Sequence, residues 1–171
     1  MDNNKIMINE TTISDLDNVA LLWNDGDVMK FVGFPNGLGV TKRTLEEKWL
    51  PSINNNENRR HYSIYHDDLG YCGESYYEVI KNGKAALDIK LFSKARGKGI
   101  AFSGLKHAID NAFYKSNAKS VYVDPQKINT KALSLYNKFG FREFPHPDIN
   151  EAEKHFYLEL SKEDYELHIN K

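Results

Sequence analysis

Apolar residues recur along the chain with two different periods, and the changes of period outline the predicted elements. Seven segments show the alternation or the β-branched content of strands. They are residues 5–12, 61–66, 71–80, 85–92, 120–123, 141–144 and 154–160. Helical spacing follows Ser14, Thr41, Gly99 and Asn129, with Ser14 as the expected cap of the first helix and Pro51 as the expected end of the second. Ser161 is placed to begin a short final helix. This order predicts a mixed α/β sheet with helices packed on it.

The dipeptide Asn82-Gly83 between the third and fourth predicted strands is a strong hairpin signal. The two-residue loop that it favours needs positive φ at both central residues and fixes the register of the two strands. The expected cross-strand pairs are Ile80 with Ala85, Tyr77 with Asp88, and Glu74 with Leu91. In that register Asp88 and Glu74 lie on opposite faces of the sheet, unless a β-bulge intervenes.

A glycine-rich turn joins the fourth predicted strand to the helix that follows it. Its sequence is Lys94-Ala95-Arg96-Gly97-Lys98-Gly99-Ile100-Ala101. Glycines let the backbone approach a ligand, and the unpaired N–H groups of a helix's first turn favour a phosphate. The turn is therefore interpreted as a pyrophosphate site, with Arg96 and Lys98 adding charge. The alternative is a plain turn that only starts a helix.

Two common nucleotide motifs are excluded by single residues of this turn. A P-loop needs Ser or Thr after its lysine, whereas Gly99 follows Lys98. A dinucleotide fingerprint needs a third glycine where the chain has Phe102.

Composition narrows the class of protein further. The 171 residues carry a formal net charge of -1, so no basic excess exists for general nucleic-acid binding. Cys72 is the only cysteine, which excludes an intrachain disulfide and favours a cytoplasmic protein. No apolar run has transmembrane length, so no membrane partner is expected. The histidines show no spacing typical of a metal site, and no metal is expected.

A second motif follows the fifth predicted strand and reads Asn129-x-x-Ala132-x-x-Leu135-Tyr136-x-Lys138-x-Gly140-Phe141. Together with the glycine turn, this motif resembles the GNAT superfamily of acetyl-CoA-dependent N-acetyltransferases. The turn departs from the family pattern only at its first position, where Lys94 replaces Gln or Arg. The resemblance spans nearly the whole chain. It implies a single domain over residues 1–171, of the α/β (α+β) class, with a mixed, mostly antiparallel sheet of about seven strands flanked by about four helices.

The resemblance also implies how acetyl-CoA, the acetyl donor, is held and used. The residues that match the cofactor site are Leu91, Phe92, Lys94, Arg96, Gly97, Lys98, Gly99, Ile100, Ala101, Asn129 and Lys138. A backbone N–H near Leu91 matches the donor to the tetrahedral intermediate, and Tyr136 matches the acid that protonates the leaving thiolate. The other interpretation of Tyr136 is a packing residue on the buried stripe of its helix.

An amine must lose a proton before it attacks a thioester, so a base is needed. Asp88 is the first candidate and Glu74 the second. The alternative for Asp88 is a structural carboxylate, paired with Lys90.

The sequence indicates the acceptor amine less specifically than it indicates the acetyl donor. Three stretches look like aminoglycoside 6'-N-acetyltransferases: residues 87–91, 123–125 and 49–52. This likeness implies a small cationic amine, aminoglycoside-like or a polyamine, as the acceptor. Two other possibilities stay open, a protein N-terminus as in ribosomal-protein acetyltransferases, and a non-catalytic acyl-CoA sensor. A monomer or a homodimer is expected.

Overall fold

The computed structural model describes residues 5–54 and 56–169, which build one seven-stranded sheet. Its strands are β1 (Ile6–Glu10), β2 (Arg59–His66), β3 (Gly70–Val79), β4 (Lys84–Leu91), β5 (Ser120–Val123), β6 (Arg142–Phe144) and β7 (Tyr157–Ser161). Their order across the sheet is β1-β2-β3-β4-β5-β7-β6. Only the β4–β5 pair is parallel. The predicted mixed, mostly antiparallel sheet is confirmed.

Helices cover the two faces of the sheet unequally. They are α1 (Leu16–Asn24), α2 (Gly26–Met29), α3 (Lys42–Thr44), α4 (Leu50–Asn54), α5 (Ile100–Tyr114), α6 (Thr130–Asn137) and α7 (Lys162–Ile169). The largest core joins α5, α6 and α7 to the side chains of one face, including Tyr77, Leu87 and Val121. A second core holds α1 and α2 together with Leu45, Leu50 and Tyr71. We call these the α5 face and the α1 face.

The two N-terminal helices begin and end differently from the sequence prediction. Ser14 does not cap the first helix: a 3₁₀ turn at Ile13–Asp15 precedes α1, and Thr12 and Asp15 bond to each other there. Pro51 does not end the second. A π-helical segment, Leu45–Trp49, joins α3 to α4, which runs through Pro51 to Asn54. The Leu50 N–H donates to Leu45 O, five residues back, and the helix continues through Pro51 although proline has no N–H to donate.

The hairpin between β3 and β4 has a three-residue loop, not the predicted two-residue one. Ile80 N–H donates to Lys84 O, and Gly83 N–H donates back to Ile80 O. Only Gly83 of the loop has positive φ, at 81°. The register therefore moves by one residue, so that Asp88 faces Tyr76 and Glu74 faces Lys90.

This shift reverses the predicted placement of the two candidate bases. Tyr76 and Glu74 are two residues apart on β3, so their side chains share a face. Asp88 and Glu74 therefore both lie on the α1 face, and the prediction that they lie on opposite faces is wrong. A one-residue slip in a hairpin exchanges every side chain between faces.

The β4 and β5 strands pair over three residues and then separate. The pairs are Lys84–Ser120, Ala85–Val121 and Ala86–Tyr122. Beyond Ala86, β4 continues to Leu91 while β5 ends at Val123. The edge of β4 that faces β5 is thus open from Leu87 onward.

A β-bulge in β3 lies beside the end of β4. Ile64 faces Gly73 whereas Tyr65 faces Tyr71, which makes Cys72 the extra residue. Gly73 has φ 153°, and a Cβ there would lie 2.0 Å from the Lys90 carbonyl oxygen. Only glycine lets β3 approach Lys90 and Leu91 this closely.

Replacing Gly73 with alanine should destabilise the fold strongly, because the new methyl group would meet backbone atoms that cannot move aside. We expect Gly73→Ala to lower the free energy of unfolding by about 3 kcal/mol or more. Gly70→Ala is the matched control, with φ 67° and no atom within 4 Å of the added Cβ. It should cost about 1–2 kcal/mol of backbone strain alone. Urea unfolding of both variants checks this, and equal losses would contradict the steric account.

Candidate active site

The glycine turn places free backbone donors at the start of the longest helix described. Gly97 and Gly99 have φ of 72° and 76°, and a Cβ on either would meet no atom within 4 Å. Gly99 is the N-cap of α5. Within the described residues, the N–H groups of Lys98, Gly99, Ile100 and Ala101 have no protein acceptor. Together with the helix dipole they form an anion-binding turn that opens on free space.

The basic side chains of this turn differ in whether they form hydrogen bonds within the protein. Lys94 Nζ donates to Leu69 O at 2.8 Å. Arg96 donates to Leu91 O at 3.1 Å and to Asp27 O at 3.2 Å. These two side chains tie the turn to the neighbouring loop, to β4 and to α2. Lys98 is half-buried and has no ion-pair partner among the described residues.

The open edge of β4 presents one backbone N–H to the gap between β4 and β5. Phe92 N–H donates to Cys72 O on β3, so alternation directs the Leu91 N–H to the other edge. The Ile89 N–H on that edge is taken by its neighbour, since Asp88 Oδ1 accepts it at 2.7 Å. Among the described residues the Leu91 N–H therefore has no acceptor, whereas the Phe92 N–H is already bonded to Cys72 O.

Asp88, Lys90 and Glu74 form an ion cluster on the α1 face beside this gap. Lys90 Nζ donates to Asp88 Oδ2 and lies 3.4 Å from Glu74 Oε1. The exposed fraction of the side chain is 36% for Asp88, 13% for Lys90 and 3% for Glu74. Asp88 is therefore the carboxylate of the cluster that reaches solvent, and Lys90 covers Glu74. The Asp88–Lys90 pair that the sequence offered as a structural alternative is present.

Glu74 is held from the other side by Trp23 and His61. Trp23 Nε1 donates to Glu74 Oε1 at 2.8 Å. His61 Nε2 lies 2.9 Å from Glu74 Oε2, a close contact that is ionic only when the imidazole is protonated. Burial alone would raise the pKa of Glu74, but His61, Lys90 and Trp23 outweigh it and lower the pKa from 4.5 to about 2.

A polar chain continues from His61 to the start of the N-terminal helix. Thr11 Oγ1 is 2.8 Å from His61 Nδ1 and 2.8 Å from Ser63 Oγ. The Trp49 ring stands edge-on to His61, with centroids 4.7 Å apart. Aromatic rings thus shield the buried His61–Glu74 contact from solvent.

The second motif lies on α6, on the far side of the β4–β5 gap. Asn129 Oδ1 accepts the Ala132 N–H at 3.2 Å and caps the helix, as predicted, and its amide nitrogen has no partner among the described residues. Gly140 has φ 85° after the helix. Lys138 is exposed at the helix end.

Tyr136 is 6% exposed and packs against Phe141. Within the described chain the Tyr136 hydroxyl has no hydrogen-bond partner. Burial raises the pKa of the phenol, and the carboxylates of Asp88 and Asp124 raise it further. The phenol therefore keeps its proton at neutral pH and lies within electrostatic reach of Asp88. Both interpretations of Tyr136, packing residue and proton donor, are compatible with this position.

Comparison with known proteins identifies the family. Residues 5–142 match the profile described as "Acetyltransferase (GNAT) domain". The chain belongs to the GNAT family of acetyltransferases. It is therefore an acyltransferase whose acetyl donor is acetyl-CoA. A search of curated protein sequences finds no match.

Solved structures show the same fold. The chain is similar to spermidine N-acetyltransferase from Vibrio cholerae in complex with CoA and spermine, with TM-score 0.80 and 22% identity over 95% of this chain and 99% of that one. It is also similar to the acetyltransferase of GNAT family from Streptococcus pneumoniae, with TM-score 0.77 and 16% identity over 92% and 99% of the chains.

Several residues around the ion cluster were not singled out from the sequence. Trp23 and His61 contact Glu74, Thr11 contacts His61, and no local motif marks these three residues. In the sequence, Asp124 stands out only as part of residues 123–125, which look like aminoglycoside 6'-N-acetyltransferases. Burial raises its pKa, and Asp88 adds to the effect. Among the described residues no His, Cys, Asp or Glu cluster could hold a metal ion, and no helix is long and apolar enough to cross a membrane.

The lowered pKa of Glu74 predicts a specific acid sensitivity of the fold. A carboxylate with a depressed pKa stabilises the folded state fully above its ordinary pKa of 4.5 and loses this contribution as pH falls toward 2. We expect the stability difference between wild type and Glu74→Gln to shrink by roughly 2–3 kcal/mol between pH 5 and pH 2.5.

Urea unfolding at a series of pH values measures this difference. Glu47→Gln is the control, because Glu47 is exposed and pairs only with Arg43. Its difference from wild type should stay within about 0.5 kcal/mol throughout. A pH-independent difference for Glu74→Gln would contradict the depressed pKa.

Proposed function

We propose that the protein moves the acetyl group of acetyl-CoA to the primary amine of a small cationic acceptor, by direct attack in a ternary complex. The observation that carries this proposal is the position of Asp88. It is the solvent-reaching carboxylate of the ion cluster, it lies where β4 and β5 separate, and Tyr136 is within its electrostatic reach.

The donor is proposed to enter the gap between β4 and β5 from the glycine turn. The free N–H groups of residues 98–101 would bind its pyrophosphate, and Lys98 would add charge. The amide nitrogen of Asn129 is available to the pantetheine arm, and Lys138 is available to a phosphate. Lys94 and Arg96 would act mainly by fixing the turn, because both are already bonded to backbone carbonyls.

Acetyl transfer then needs a base, a donor for the oxyanion and an acid. Asp88 takes a proton from the acceptor ammonium, directly or through one water, and the free amine attacks the thioester carbonyl. The Leu91 N–H binds the oxygen of the tetrahedral intermediate. The nitrogen of the tetrahedral intermediate then gives its second proton to solvent. The C–S bond breaks as Tyr136 gives its proton to the thiolate, which leaves an amide and CoA, and the tyrosinate regains a proton from solvent. Glu74 is a less suitable base, since Lys90 covers it and its carboxyl is 3% exposed.

A cationic acceptor is supported by the acidic character of this face. Asp88 and Glu74 share one lysine, and Asp124 has no lysine or arginine partner in the described part of the chain. The Vibrio cholerae enzyme of similar fold is described in complex with spermine, an amine of this class. A polyamine or an aminoglycoside is therefore the proposed acceptor type.

Thiol release from acetyl-CoA tests the proposal with three acceptors: a kanamycin-type aminoglycoside, spermidine and a short peptide with a free amino terminus. We expect turnover with one of the two cationic small molecules. Turnover with the peptide alone would replace the proposal with protein N-terminal acetylation, and tight CoA binding without any turnover would replace it with an acyl-CoA sensor.

Two variants separate the proposed roles. Asp88→Asn should lower kcat/KM by about 10²–10⁴-fold, the usual contribution of a general base. Tyr136→Phe should lower kcat with little change in the affinity for acetyl-CoA. Asp17→Asn and Tyr114→Phe are the controls, since both residues are exposed and outside the proposed site. Unchanged kinetics in Asp88→Asn at every pH would overturn its assignment.

A further inference from the structure

Lys90 places a positive charge between two carboxylates of the α1 face. Its ammonium contacts both Asp88 and Glu74 on the α1 face. The side chain is 13% exposed, so the ammonium is held inside the cluster and does not range over the surface. Two carboxylates at one cation make this a built cation site that the protein itself fills.

The lysine is permanently charged in this setting. Desolvation works against its charge, but Asp88 and Glu74 together raise the pKa of Lys90 above its usual value. The Glu74 carboxylate in turn is held in its buried position by contacts with Trp23 and His61. The cluster therefore carries one more negative charge than positive charge when His61 is neutral.

Other carboxylates of the same face are also neutralised from within. Arg59 pairs with Glu78 at 2.7 Å, and Lys84 pairs with Glu159 at 2.5 Å. Tyr76 donates to Glu78 at 2.6 Å, which places this pair beside the cluster. Beside the Asp88–Lys90–Glu74 cluster, Asp124 is thus a carboxylate of this face that has no lysine or arginine partner among the described residues.

We propose that Lys90 is a specificity-determining residue, an internal counter-cation that limits how much positive charge an acceptor can carry next to its reacting amine. The inference rests on the proposed function, because it takes Asp88 as the carboxylate that meets the acceptor amine. Without Lys90, Asp88 and Glu74 become a dicarboxylate site, and an acceptor with a second ammonium nearby gains an electrostatic contact that the wild type denies it.

Two acceptors of equal length isolate this effect: butylamine, with one amine, and 1,4-diaminobutane, with two. The quantity measured is the ratio of kcat/KM for the diamine to kcat/KM for the monoamine. We expect Lys90→Gln to raise this ratio at least tenfold over wild type. Lys90→Arg keeps the charge and should leave the ratio within about twofold, and Lys162→Gln, which removes a lysine on α7, should do the same.

A double variant distinguishes an effect of charge on the ratio from a structural effect of losing the lysine side chain. Lys90→Gln with Glu74→Gln removes one charge of each sign, so the ratio should return toward the wild-type value. An unchanged ratio in folded Lys90→Gln, or an equal rise in Lys162→Gln, would overturn the inference.

Calorimetric binding of both amines to the CoA-loaded protein separates this inference from the proposed function. If the wild type acetylates neither amine but the binding ratio changes as expected, the inference is supported and the proposed function fails for these two amines. Normal acetylation with an unchanged binding ratio would support the proposed function and overturn the inference. Failure of both amines to bind either protein would overturn the inference.

Discussion

Parallel hydrogen bonding between β4 and β5 ends after Ala86, and the site depends on this separation. A strand edge left open inside a sheet exposes backbone donors that need partners. Asp88 takes the Ile89 N–H with its own carboxylate, and Leu91 keeps a free one. The anion-binding turn lies at one end of the gap and Tyr136 on the helix across it. The same break in pairing thus creates the space for a donor and brings the proposed catalytic groups to its border.

The ion cluster beside the gap is stable because each buried charge has several partners. Burial of a lone carboxylate is unfavourable, but Glu74 is surrounded by Lys90, His61 and the Trp23 indole N–H. The desolvation free energy of the Glu74 carboxylate is offset by its contacts with Lys90, His61 and Trp23, and it is offset fully only when all three are present. The cluster is therefore a rigid support for Asp88, which alone of the two carboxylates meets solvent, and we propose that it also sets the charge of the acceptor.

The sequence predicted the parts of this structure that depend on local chemistry. Gly97 and Gly99 indicated the turn, Asn129 the helix cap, and alternation the seven strands, because each follows from short-range geometry. The hairpin register depended on whether Asn82-Gly83 forms a two-residue or a three-residue loop, and that choice decided the face on which Glu74 lies. The contacts of Trp23 and His61 with Glu74 join residues about 50 and 13 positions apart, respectively, and no local pattern encodes them.

The most direct test of this account is a crystal structure of the protein with CoA bound. We expect the pyrophosphate to accept hydrogen bonds from the backbone of residues 98–101, and the thiol to lie in the β4–β5 gap within hydrogen-bond reach of the Tyr136 hydroxyl and close to the Leu91 N–H. A CoA molecule bound elsewhere, or one whose thiol points away from Tyr136 and Asp88, would contradict the account.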